Sequence, residues 1–139
     1  MSDWLIKCDP EDYSFDDLVR DGRAVWDGVS NPQALKFIGE MRTGDRVLVY
    51  HTGDEKRIVG TASVVKDPYP DPKVKDSKRV VVDIEAGGRV PRFVTLAQIK
   101  EDPSFAEFHL VRQARLSVMP VTPGHWKKIS AMAGLKPNS

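Results

Sequence analysis

At 139 residues the chain suffices for one domain over residues 1–139 and is short for two. A chain of this length buries about two-thirds of its unfolded surface, so neither a metal nor a disulfide is required for folding. Hydrophobic residues at 40% and charged residues at 29% are an ordinary globular balance, and the single cysteine, Cys8, excludes an intrachain disulfide. Net charge is +1, but residues 1–70 carry nine Lys/Arg against thirteen Asp/Glu and residues 71–139 carry twelve against seven. The second half therefore either offers a phosphate-facing surface or merely scatters its charge. Met1-Ser2-Asp3-Trp4 lacks the basic region and apolar run of a secretory signal. No apolar run approaches the roughly 18 residues that span a bilayer. The expectation is a cytoplasmic monomer with no membrane partner.

Asp3–Cys8 alternates, with Trp4, Ile6 and Cys8 on one side, and predicts a strand ended by Asp9-Pro10. Ser14 with Asp17 three residues on starts a short helix that carries Phe15, Leu18 and Val19 and closes at Gly22. Ala24–Val29 reads as irregular. Asn31-Pro32 starts the next helix, with Ala34, Phe37, Ile38 and Met41 on its core face. Arg46–His51 and Arg57–Val65 predict an antiparallel hairpin, with Gly60 marking a bulge or a close backbone approach. Asp67–Asp76 holds three prolines and reads as a loop. Arg79–Glu85 and Pro91–Val94 follow as separate strands, then a helix from Thr95 to Ile99 and a helical turn near Phe105–Phe108. Arg115–Val121 is a late strand, and Thr122-Pro123 start a last helix stopped by Gly134. This order predicts an α+β fold: a mixed, mainly antiparallel β-barrel flanked by short helices.

The chemistry-bearing residues do not assemble into a catalytic pattern. His51, His109 and His125 lie in different elements without ligand spacing, and no Gly-rich phosphate loop occurs. The acidic run Asp9, Glu11, Asp12, Asp16 and Asp17 suits a solvated helix start. No catalytic residue, metal or cofactor is expected. What remains is a set of aromatic and polar residues that the fold does not obviously need: Trp26 in a polar segment, Tyr50-His51-Thr52 at a strand end, Tyr69 among prolines, and Lys7. Flat rings stack on nucleobases and polar neighbours read base edges, although Trp26 suits a core, Tyr69 a loop anchor and His51 a strand cap equally well.

Trp4-Leu5-Ile6-Lys7-Cys8-Asp9-Pro10, Trp26-Asp27-Gly28-Val29, Asn31, Gly44-Asp45, Tyr50-His51-Thr52, Asp67-Pro68-Tyr69 and Arg115–Val121 before Trp126, in this order, resemble the EVE domain family over nearly the whole chain. That resemblance implies a PUA-like fold, akin to YTH domains, and a non-catalytic reader of a flipped-out, modified base in DNA or RNA. It implies that Trp26 supplies a cage wall, that Lys7 and Cys8 border the pocket, and that Asp27 and Asn31 face it. Tyr50, His51 and Thr52 join this base-binding set, with Tyr69 as the opposite wall. Lys73, Lys75, Lys78, Arg79, Arg112 and Arg115 are the candidate phosphate contacts in the basic half. Two alternatives stay open: an ASCH-like amide hydrolase acting on modified nucleosides, which needs a partner for Lys7, and a protein-interaction module using Pro68–Pro72.

Overall fold

The computed structural model describes residues 2–75 and 78–135. Its strands are β1 (Asp3–Cys8), β2 (Arg23–Trp26), β3 (Arg46–His51), β4 (Arg57–Pro70), β5 (Val80–Thr95) and β6 (Val118–Val121), and they form one sheet in the order β2-β5-β4-β3-β1-β6. Only the β1–β3 pair is parallel. The helices are α1 (Phe15–Asp21), α2 (Pro32–Glu40), α3 (Leu96–Glu101), α4 (His109–Arg112) and α5 (Pro123–Ala133), with a 3-10 turn at Pro103–Phe105. The result is a mixed, mainly antiparallel α+β fold, and α2 packs on β6 as well as on β4 and β5, bridging the curled sheet. No described helix is long and apolar enough to cross a membrane.

The helix starts follow from local chemistry. Ser14 and Asp17 bond each other's backbone N–H, Thr95 and Gln98 do the same, and Asn31 and Thr122 each cap a helix whose first residue is proline. β1 departs from simple alternation: Trp4, Leu5, Ile6 and Cys8 are all buried, because the strand lies between β3 and β6 with core on both faces. Beneath its start, the buried Asp45 carboxylate accepts the Trp4 indole N–H at 2.9 Å and the Ser2 and Arg42 backbone N–H groups at 3.0 and 2.9 Å. Three donors meet one buried acceptor, which is how a buried carboxylate is kept satisfied. Beside it Arg46 bonds both oxygens of Asp3, at 2.8 and 3.0 Å, and lies 4.2 Å from the Trp126 ring centre.

Two segments differ from the sequence expectation. Overlapping the Ala24–Val29 stretch read as irregular, Arg23–Trp26 is an edge strand paired with Val82–Glu85. The segment Asp67–Pro70, expected to be loop, continues β4; Asp76, the far end of that expected loop, lies outside the described residues. Its prolines are tolerated because β4 has left β3 behind at Val64 and keeps β5 as its strand neighbour. The two strands expected over Arg79–Val94 are one long bent strand, β5, which passes through Gly87-Gly88.

Gly60 combines both expected roles, interrupting the β4 register and admitting a close neighbour. A Cβ there would lie 2.3–2.6 Å from three atoms of the Phe15 ring, which is fully buried. The ring is held from behind, since the Phe15 N–H donates to His51 Nε2 at 2.9 Å. Gly60→Ala must therefore displace Phe15 or bend β4, and is expected to lower stability by about 1–3 kcal/mol. Urea unfolding checks this: a midpoint equal to wild type would show that α1 is free to move aside.

Candidate functional site

β1 and β3 end side by side, with Lys7 beside Tyr50 and Cys8 beside His51. Across from them β2 ends at Trp26, and Gly28, at φ 76°, turns the chain toward the Asn31 cap of α2. Between these ends lies a cavity of about 540 Å³, lined by Lys7, Cys8, Asp9, Asp12, Tyr13, the segment from Val25 to Asn31, and Ser117. Five residues of the predicted base-binding set, Lys7, Cys8, Trp26, Asp27 and Asn31, meet here.

Trp26 is half-buried, with the Tyr13 ring edge-on at 6.3 Å and 72°. Tyr13 is anchored in turn, its hydroxyl donating to Asp21 at 2.8 Å. Burial and then that bond push its phenol up to about 12, so Tyr13 is a neutral wall at physiological pH. The Asn31 carbonyl oxygen accepts the Ala34 N–H at 3.0 Å, which leaves the amide NH₂ to donate. Burial raises the Cys8 thiol to about 12, with Asp9 adding to the effect. A thiol held that high is not a thiolate nucleophile. Lys7 donates to the Ala114 carbonyl at 2.8 Å, and burial lowers its ammonium from the ordinary lysine value. Three carboxylates, Asp9, Asp12 and Asp27, share the cavity with this one ammonium.

The structure does not bring Tyr50, His51, Thr52 or Tyr69 to this cavity. His51 is buried and uses both ring nitrogens, Nε2 accepting from Phe15 while Nδ1 faces Glu55 at 3.0 Å. An accepting Nε2 places the proton on Nδ1, which donates to the carboxylate; that bond is the main reason Glu55 sits below the usual range. Tyr50 and Thr52 line a second cavity, of about 280 Å³, that among the described residues shares only Lys7 with the first. Tyr69 lies on β4, where its hydroxyl donates to Asp83 at 2.5 Å and Lys66 covers its ring at 4.2 Å. The Asp83 bond, then burial, raises this phenol to about 12.

Of the predicted phosphate contacts, Lys73 and Arg79 line a shallow recess beside Asp27 and Val29. Lys73 lies 3.8 Å from Asp27, and Arg79 donates to the Val29 carbonyl at 3.4 Å. Lys75 and Lys78 are exposed between β4 and β5. Arg115 lies on the opposite flank, in a recess with Asn31, while Arg112 is ion-paired with Glu107. Sequence reading misses Tyr13, Asp12, Ser30 and Ser117 as cavity residues. Ser117 arrives through a tertiary contact, its carbonyl accepting the Lys7 N–H at 2.9 Å, which leaves no local signature.

With this geometry in place, known proteins give a consistent comparison. The family description "EVE domain" matches residues 2–132. An NMR structure from Rhodopseudomonas palustris is 40% identical with a TM-score of 0.91, over 96% of this chain and 94% of that one. A crystal structure from Agrobacterium tumefaciens is 33% identical with a TM-score of 0.94, over 97% and 94%. Human thymocyte nuclear protein 1 is 28% identical over 99% of this chain and 76% of its own length. Its crystal structure in complex with 5-methylcytosine-containing DNA has a TM-score of 0.85, over 99% of this chain and 100% of that one. The chain therefore belongs to the EVE domain family.

Proposed function

We propose that this protein binds a flipped-out, modified nucleobase of DNA or RNA in the Trp26 cavity and leaves it chemically unchanged. The observation that carries this reading is the cavity itself. A half-buried tryptophan, braced edge-on by Tyr13, forms one wall of a space of about 540 Å³ whose lining also includes the polar side chains of Lys7, Asp9, Asp12, Asp27, Ser30 and Asn31. That volume lies within the roughly 300–1,000 Å³ usual for small-molecule sites. The complex of the human relative with 5-methylcytosine-containing DNA supports the same ligand class. Asp9, Asp12 and Asp27 offer acceptors to an exocyclic amino group, as carboxylates do to cytosine N4, so an amino-bearing base suits the cavity. The neutral Cys8 thiol is a soft, weakly polar surface against which an added methyl can rest.

Energetics require help from outside the cavity. Stacking contributes roughly 1–3 kcal/mol per base, and extrusion from a duplex costs a few kcal/mol, least where the base is unpaired or damaged. Phosphate contacts must supply the surplus. We assign that role to Lys73, Lys75, Lys78 and Arg79 beside one flank and Arg115 beside the other, with the protein acting as a monomer.

Trp26→Ala is expected to weaken binding of an oligonucleotide carrying the preferred base by about 1–3 kcal/mol and to erase base preference. The salt dependence should stay as it is, because stacking releases no counterions. Retained preference in a fluorescence-anisotropy titration would refute the assignment of the cavity. Lys73→Ala/Lys75→Ala should do the opposite, keeping the preference while lowering the log–log salt slope by about 1–2. Anisotropy at several salt concentrations checks this, and an unaltered slope would remove that flank from the backbone path.

A further inference from the structure

The second cavity has a chemistry opposite to the first. It lies where β3 ends and is lined by Lys7, Lys56 and Lys100, with Tyr50, Thr52, Gly53 and an apolar floor that includes Leu96 and Leu110. Among the described residues no carboxylate lines it. Its three lysines come from three elements: Lys7 from β1, Lys56 from the turn before β4, and Lys100 from the last turn of α3. Lys56 and Lys100 form no ion pair among the described residues. Tyr50 has a largely buried ring, and its hydroxyl has no hydrogen-bond partner among the described residues. The cavity surface thus presents a hydroxyl that is free to bond a ligand or water.

The backbone adds an independent observation. Lys56, at φ 46°, is the one non-glycine residue with positive φ among the described residues. A side chain is disfavoured in that left-handed conformation, where glycine is at ease. The conformation is pinned, since the Lys56 carbonyl accepts the Leu96 N–H at 2.9 Å. A lysine kept where glycine would be less strained points to a use for its ammonium.

We infer that the Lys7–Lys56–Lys100 cavity binds a phosphate group, the one flanking the base held in the Trp26 cavity. The strand as source of that phosphate rests on the base-binding reading above; a free phosphate anion presents the same chemistry. Lys7, the only described residue lining both cavities, sets the two side by side. Charge sorts the ligand's parts: the carboxylates of the first cavity repel a phosphate, and the ammonium groups of the second attract it.

The test pairs Lys56→Gly with Lys100→Ala, singly and together, in two arms. In the first, oligonucleotide affinity is measured across salt concentrations. In the second, inorganic phosphate is titrated calorimetrically at fixed ionic strength. The double variant is expected to lose roughly tenfold in oligonucleotide affinity at low salt and about 0.7–0.9 of log–log slope, the value of one phosphate contact. Its ratio of modified to unmodified binding should persist. Thermal unfolding of Lys56→Gly should occur at or above the wild-type temperature, so lost binding is not lost folding. Phosphate binding by wild type that vanishes in the double variant also supports the site, and does so even if no oligonucleotide binds, in which case a free anion is the ligand and the base-binding reading falls. A wild-type slope in the double variant, with no phosphate bound in the second arm, overturns the inference and leaves the base reading standing.

Discussion

The missing side chain at Gly60 is the constraint on which the site depends. Because β4 has no Cβ there, the Phe15 ring lies directly on the strand, and His51 takes the Phe15 N–H from the end of β3. Those two contacts seat α1 against the sheet. The connection from β1 into α1 carries Asp9, Asp12 and Tyr13, so seating the helix also sets one wall of the cavity opposite Trp26. Tyr13 is then tied to the far end of the same helix through Asp21. The wall is thus as rigid as the docking of α1, and that docking rests on close packing rather than on surface ion pairs.

Electrostatics divides the same face of the molecule. One cavity gathers carboxylates beside its aromatic wall, its neighbour gathers lysines, and Lys7 stands between them. The parallel pairing of β1 with β3 produces this arrangement, because it brings two strand ends, and the turns that follow them, to one rim of the sheet. Crevices at the carboxyl ends of parallel strands are common ligand sites in open sheets, for the same geometric reason.

Features governed by neighbours in sequence are readable from the chain alone. Ser14, Asn31, Thr95 and Thr122 announce their helices because a cap needs only the next three residues. β2 is not readable, since Arg23–Trp26 alternates for only four residues and draws its ladder bonds from β5, some sixty positions away. The Pro-containing end of β4 reads as loop because local rules do not know that one side of the strand is unoccupied. His51 and Tyr50 are adjacent polar-tipped residues in sequence, yet the pleat sends one to Phe15 and Glu55 and the other to a lysine-lined cavity. Trp26, Lys7 and Asn31 are readable as a group through family resemblance, while their partner Tyr13 requires the packed structure.

The unshared side of β4 beyond Val64 has a consequence for life in a crowded cell. An open strand edge is a template on which another chain can add by backbone pairing, the first step toward ordered aggregates. Here the exposed stretch carries Lys66, Pro68 and Pro70, and the Asp67 carboxylate is turned back onto the backbone and hydroxyl of Thr43. Charge discourages an incoming strand, and prolines have no N–H to offer it. The residues that make this segment look like a loop in sequence therefore let it be a strand without becoming a seed.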